Sequence, residues 1–245
     1  MKKLLILILK KLSRIINKIT PDELAKNNLA NPSGVYRLLT EANDKVTYDL
    51  IGEDLKKSIP FDDINNAWKY AIKLALSNEK NITKEDNLFY LEFGVWKGRS
   101  ANFWSKYVKK LYVFDSFQGL REDWTGVTGK GTFNLNGKIP KLNKNVIPIK
   151  GWVEDTLCDF LEKYKPKINF VHLDMDLYNP TSFTLQKIKP YLVDGAIILF
   201  DEFYNYLDWQ NGEYKALIEV FDKTEYEYKG YMVNNQQVFI KIKVL

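Results

Sequence analysis

The stretch Leu88 to Ser100, LFYLEFGVWKGRS, constrains the chain more than any other. Leu88, Phe89, Tyr90 and Leu91 form an apolar and aromatic run bounded by polar residues, the pattern of a buried strand. Glu92 sits at its carboxyl end. Gly94 and Gly98 follow, permitting a tight turn and a close approach of backbone to a ligand. Ser100 falls at the opening of a helix, where free amide groups attract negative charge. In outline this is a nucleotide-cofactor loop, although a glycine pair after a strand is equally often a plain turn. The next apolar run, Leu111 to Phe114, ends at Asp115, about 20 residues past the first glycine, where doubly wound folds place a carboxylate for ribose hydroxyls. Two consecutive strands ending in acids around a glycine turn are hard to obtain from packing alone.

The rest of the chain extends that pattern. A helix is expected from Phe61 to about Ser77, with Ile64, Trp68 and Ile72 four apart, and the residues after Ser100 continue as a helix through Trp104 and Tyr107. Strands are expected at Val146–Ile149, Ile168–Leu173 and Ala196–Phe200, and helices from Gly151 to Tyr164, from Asn179 and from Glu213 to Phe221. Tyr226–Met232 and Val238–Val244 read as strands joined by a short link containing Asn234 and Asn235, a hairpin that leaves the last strand antiparallel. Strand and helix alternate, so the fold class is α/β, a doubly wound, mostly parallel sheet, which binds ligands beyond the carboxyl ends of its strands. Between Gly119 and Lys144 lies a glycine- and lysine-rich segment with no clear period, long enough to be a functional loop.

The N-terminal part differs in kind. Residues 1–19 carry six basic side chains and no acid, with Leu5, Ile8, Leu9, Leu12, Ile15, Ile16 and Ile19 at the spacing of one helical face. The uninterrupted apolar run is too short to span a bilayer, and no cleavage-site pattern follows it. Two readings stand: an amphipathic helix on an anionic membrane surface, or a helix packed on the domain or on another subunit of a homo-oligomer. Residues 20–60 are polar, with a turn at Asn31-Pro32-Ser33-Gly34, and are expected to be a linker or lid before a catalytic domain at 61–245.

Apolar residues make up 45% of the chain and aromatics 14%, ample for one sizeable core. The net charge of +5 is mild, and the absence of a basic stripe interleaved with exposed aromatics argues against nucleic acid as a partner. Cys158 is the only cysteine, which excludes intrachain disulfides and a cysteine zinc site and points to a reducing compartment, the cytoplasm.

Acids recur at the expected strand ends: Glu92, Asp115, the Asp174-Met175-Asp176 cluster, and Asp201-Glu202. Asp174, Asp201 and Glu202 follow neighbouring strands, and crowded carboxylates repel unless a cation neutralises them. Oxygen ligands favour a hard ion such as magnesium, manganese or calcium. The alternative is that single acids cap helices or pair with lysines, which leaves the doubled acids unexplained. His172, the only histidine, either acts as a base or is a hydrogen-bonded core residue. Trp152 can cover a cofactor ring and Trp124 an acceptor, while Trp68 and Trp104 read as core.

Five ordered motifs then carry a resemblance: LEFGVWKGRS, FDSFQGL at 114–120, KGWVEDTL at 150–157, HLDMDLYNPT at 172–181 and FDEF at 200–203. Together they resemble the macrocin O-methyltransferase family and, more distantly, catechol O-methyltransferases: S-adenosylmethionine-dependent, metal-dependent enzymes with a seven-stranded Rossmann-like sheet. The resemblance implies that Glu92, Gly94 and Ser100 hold the methionine end of the cofactor, that Asp115 takes the ribose hydroxyls and that Trp152 lies against adenine. Ser116, Gly151 and Asp174 would complete the cofactor contacts. It makes Asp174, Asp201 and Glu202 the metal ligands, Glu202 standing where better-known members have Asp or Asn. Asp176 is the candidate proton acceptor, since the lysine of catechol enzymes has no equivalent here. Family members methylate sugar hydroxyls, so a glycan, lipid-linked sugar or nucleotide sugar is the expected acceptor. A competing reading takes Asp174-Met175-Asp176 as the DxD signature of a metal-dependent glycosyltransferase, which does not require the glycine turn. A third is a membrane-tethered scaffold without activity, which the retained acids oppose.

Overall fold

The computed structural model describes residues 34–79, 88–124 and 128–244. The expected basic helix at 1–19 lies outside the described residues. Among the described residues no helix is long and apolar enough to cross a membrane. The chain divides into two compact units, Met1–Ala42 and Asn43–Leu245.

In the second unit, an eight-stranded sheet carries the site. Its strands are β1 (Ile59–Phe61), β2 (Leu88–Phe93), β3 (Leu111–Asp115), β4 (Val146–Lys150), β5 (Lys167–Leu173), β6 (Leu192–Phe200), β7 (Tyr226–Met232) and β8 (Val238–Ile242). They lie in the order β1-β7-β8-β6-β5-β2-β3-β4. All pairs are parallel except β6–β8 and β7–β8, so β8 is the one reversed strand, as its hairpin link implies. Seven strands form the expected Rossmann-like sheet. The eighth, β1, was not expected: Ile59, Pro60 and Phe61 pair with Gly230 to Met232 and cover what would otherwise be the open edge of β7. Pro60 is tolerated there because an edge strand has one unpaired side.

The helices are α1 (Gly34–Leu55), α2 (Ile64–Asn78), α3 (Arg99–Trp104), α4 (Val153–Tyr164), α5 (Tyr178–Ile188) and α6 (Glu213–Val220). Most match the periodicity of the sequence, but α3 is shorter than expected and α1 falls where a linker or lid was expected. The sequence concealed α1 because Thr47, Ile51 and Gly52 are its only buried residues, too few to stand out as an apolar stripe. Ile51 joins the core, which is why the compact unit begins at Asn43 rather than near residue 61.

The sheet has a core on each face. On one, Phe93, Phe114, Leu173 and Phe200 pack with Leu157 and Phe160 of α4 and Leu185 of α5. On the other, Tyr90, Val113, Phe170 and Leu199 pack with Trp68 and Ile72 of α2 and Trp104 of α3. Chain direction across the sheet reverses between β2 and β5: β3 and β4 extend from one side of β2, β5 and β6 from the other. That switch point is where a doubly wound sheet opens a ligand crevice.

Candidate active site

At the switch point the strand ends nearly touch. Gly94, just past β2, has φ +84°, and a Cβ there would meet the carbonyl oxygen of Asp174 at far less than 3.0 Å. The sequence reading gave this glycine to the close approach of a ligand; in the structure the close neighbour is the backbone of Asp174. The ladder continues past the strands, with Gly94 N donating to Phe114 O (2.9 Å), Asp174 N to Phe93 O (2.8 Å) and Asp201 N to Leu173 O (2.9 Å). These bonds fix the start of each loop that carries an acid.

Above the strand ends lies a cavity of about 690 Å³, within the range of small-molecule sites. Gly94, Ser100, Asp115, Ser116, Gly151, Trp152, Asp174, Asp176, Asp201 and Glu202 all line it. The exception among the predicted residues is Glu92. It is fully buried, does not line the cavity, and its Oε1 lies 2.9 Å from Nδ1 of His172. The cause is register: Glu92 stands opposite His172 across β2 and β5, so the two side chains share a face inside the sheet. His172 is the hydrogen-bonded core residue of the two alternatives, with its Nε2 reaching Asp201 Oδ1 at 3.4 Å.

Asp115 has a structural task as well as a place on the wall. Its Oδ2 accepts from the amides of Val95 (2.8 Å) and Trp96 (2.9 Å), and its Oδ1 from Phe117 N (2.6 Å). It therefore ties the glycine turn after β2 to the end of β3. Trp152 carries the Arg121 guanidinium over its ring at 4.2 Å, and Arg121 also lies 3.6 Å from Glu154 and 3.7 Å from Asp155. Trp124, considered for the acceptor, does not line the cavity and stacks edge-on against Tyr206. The loop after Gly119 contributes Arg121, Glu122 and Phe133 instead, and Asn179 at the start of α5 holds Glu122 at 3.0 Å.

The electrostatics of the acids are those of an uncompensated cluster. Burial, followed by the charge of Asp201, raises Asp174 well above the ordinary carboxylate range, and His172 only partly relieves it. Burial, Asp201 and Asp115 push Asp176 up to about 7. Glu202 is likewise raised by burial and then by Asp201, Asp176 and Asp174. Asp201 goes the other way: burial opposes its charge, but hydrogen bonds from His172, Glu202 and Gln237 and the charge of His172 outweigh it. For His172 burial favours the neutral ring, yet Asp201 and Glu92 hold the imidazolium well above its usual range. Asp176 also has φ +62°, a left-handed conformation that is costly for a non-glycine residue and typical of functional turns.

A divalent cation fits this donor set. Ligand-capable atoms of His172, Asp174 and Asp201 lie within 4.8 Å of one another. Both ring nitrogens of His172 already face carboxylates, which leaves oxygens as the free donors. Glu202 lies beside them on the wall, and its Oε2 is buried without a partner, the mark of a group awaiting one. Oxygen donors of this kind suit a hard ion.

Some site residues carried no signal in the sequence. Glu213, in the first turn of α6, is fully buried, does not line the cavity, and accepts from Glu202 N at 3.0 Å. Gln237 and Trp68 line the cavity and are held together across the sheet at 3.0 Å.

Residues 91–203 match the family described as "Methyltransferase domain". This agrees with the resemblance carried by the five motifs. No curated protein sequence matches. Among solved structures, the crystal structure of CalS11, calicheamicin methyltransferase, is 18% identical with a TM-score of 0.57, the alignment covering 91% of this chain and 93% of that one. The apo structure of CalS11, described as a TDP-rhamnose 3'-O-methyltransferase, is 19% identical with a TM-score of 0.53 over 86% and 96%. The O-methyltransferase NovP is 19% identical with a TM-score of 0.50 over 73% and 80%. At these identities the structures establish a shared fold.

Proposed function

We propose, from the premise that residues 91–203 are a methyltransferase domain, that the chain is an S-adenosylmethionine- and divalent-cation-dependent O-methyltransferase acting on a hydroxyl of a sugar or glycan precursor. The observation that carries the reading is the convergence of Asp174, Asp176, Asp201 and Glu202 on the same cavity that the Gly94 turn and Asp115 border. Metal-assisted methyl transfer to a hydroxyl needs a cofactor cradle and a cluster of hard oxygen donors side by side, and this cavity offers both. S-adenosylmethionine supplies a methyl group already activated on sulfur, and the cation lowers the pKa of an acceptor hydroxyl and fixes its oxygen.

The chain's own residues have the remaining tasks. Asp115 would take the ribose hydroxyls while it orients the turn at Gly94, and Trp152 would lie against the adenine. Asp174, Asp201 and Glu202 would hold the cation. Asp176, buried in the same wall, takes the proton from the acceptor, and the loop residues Arg121 and Phe133 border the acceptor space. Alignment of acceptor and methyl group is then the main contribution of the protein to rate. The description of CalS11 as a TDP-rhamnose 3'-O-methyltransferase supports a sugar acceptor. We place the enzyme in the cytoplasm.

Calorimetric titration with S-adenosylmethionine, with and without magnesium, tests the reading. Asp115→Asn removes the charge and replaces one of the two amide-accepting oxygens with a donor, loosening the turn after β2 as well as the ribose contact, and is expected to weaken cofactor binding by about tenfold or more. No binding of the cofactor, with a uridine or guanosine diphosphate sugar binding instead, would sink the proposal in favour of the DxD glycosyltransferase.

A further inference from the structure

The reversed strand β8 has a consequence for the metal site. Val238 stands opposite Phe200 in the β6–β8 register, so the residue before Val238 meets the residue after Phe200. Those residues are Gln237 and Asp201. Gln237 is 1% exposed, and both ends of its amide are used: Nε2 donates to Asp201 Oδ1, and Oε1 accepts from the indole N–H of Trp68 at 3.0 Å.

The indole decides which way the amide points. An indole nitrogen can only donate, so the Gln237 carbonyl must face Trp68 and its NH₂ must face Asp201. The opposite orientation would set a carbonyl against a carboxylate and an NH₂ against an N–H. Trp68 cannot turn away readily, being 4% exposed and packed at 5.0 Å against Trp104 and 5.1 Å against Phe103. His172 reaches the same oxygen, Oδ1, from the other side of β6. Asp201 is thus gripped through one oxygen by two donors anchored on different elements.

We propose that Gln237, oriented by Trp68, is the positioning residue for Asp201. It fixes the carboxylate in the attitude that binds a divalent cation, an inference that rests on the metal-dependent reading above. The choice of glutamine has a physical reason. A neutral donor holds the carboxylate without adding a second positive charge beside that of His172, whereas a lysine at this position would form a further ion pair and compete with the cation. Groups that orient a ligand in this way are worth about 10–100-fold in metal affinity.

Gln237→Met keeps the volume and removes both hydrogen bonds; Trp68→Phe removes the N–H together with part of the buried ring volume, a packing loss that the unfolding midpoint registers. Magnesium and manganese affinities are measured by calorimetry on the full-length chain, alongside metal-free S-adenosylmethionine affinity and urea unfolding. The expectation is a loss of about 10–100-fold in cation affinity in each variant, larger than any change in metal-free cofactor affinity. If wild type binds magnesium and both variants bind it as tightly, the inference is overturned while the proposed function stands. A lower unfolding midpoint with unchanged cation affinity assigns Gln237 a purely structural role and overturns it equally. If wild type binds S-adenosylmethionine but no divalent cation, the metal-dependent reading fails and this inference with it.

Discussion

Replacing Gly94 by alanine tests the geometry of the switch point directly. Two costs are expected, and the structure allows them to be separated. The first is conformational: φ at Gly94 is +84°, and an alanine held in the left-handed region costs about 1–2 kcal/mol. The second is steric: the new methyl group runs into the carbonyl oxygen of Asp174, which is backbone and cannot rotate aside. Forcing extra volume into a packed site costs about 1–3 kcal/mol more, for a total of about 2–5 kcal/mol. With a urea slope of about 2 kcal/mol/M, the unfolding midpoint should fall by about 1–2.5 M. Gly131→Ala is the control, since φ there is +83° and nothing lies within 4 Å of the added carbon. It should lose only the first cost. Because β2 and β5 must part to admit the methyl group, Asp174 moves, and Gly94→Ala should also lose magnesium affinity where Gly131→Ala does not. Equal destabilisation of the two variants, or full cation affinity in Gly94→Ala, would refute the claim that Gly94 serves the contact with Asp174.

Two other expectations follow from the charge cluster. Asp174→Asn removes one of several mutually repelling buried carboxylates, so in a chelating buffer the variant should be at least as stable as wild type, whereas magnesium at about 100 times its Kd should stabilise wild type by about 2.7 kcal/mol and the variant far less; thermal melts with and without the cation read both. His172→Phe leaves Glu92 fully buried and without its partner, and should destabilise the chain by about 3–5 kcal/mol in urea unfolding, a loss that a merely packed histidine would not produce.

The parts of this molecule that were legible in the sequence are those written in local pattern. Strand runs ending in acids, the glycine turn and the Asn-containing hairpin link each depend on a few adjacent residues, and the cavity walls follow from them. Glu92 shows where local reading stops. It ends a strand as Asp115 does, but which face it presents, and to whom, depends on β2 lying beside β5, a pairing between segments 80 residues apart. Gln237 is a stronger case: nothing in Asn-Asn-Gln-Gln marks the last glutamine, and its meeting with Asp201 exists only once β8 is slotted between β6 and β7. Helix α1 escaped for a different reason, its buried face carrying one large apolar residue, Ile51, beside Thr47 and Gly52. Local chemistry is printed in the sequence; partnerships across the sheet are not.

The reversed strand explains why the site is built with such a residue at all. A parallel strand delivers to the reactive edge only the residue that follows it, and that residue opens a loop. Asp174 and Asp201 arrive in this way, and each is as mobile as the loop it begins unless something else holds it. A strand running the other way delivers the residue that precedes it, and the chain then continues into the sheet, where Val238 to Lys241 are paired with β6 and β7 on both sides. Gln237 is therefore anchored by the sheet itself, and Met232 N bonds to its carbonyl oxygen at 2.9 Å to close the hairpin on the other side. Trp68 adds a fixed donor from a helix on the face of the sheet. A cluster of like charges tends to spread apart when no cation holds it, so the oxygen that must stay in place is best gripped by groups whose own position does not depend on the cation. Asp201 is gripped in this way, and of the clustered carboxylates with shifted acidity it is the one held below the ordinary carboxylate range while Asp174, Asp176 and Glu202 are pushed above it.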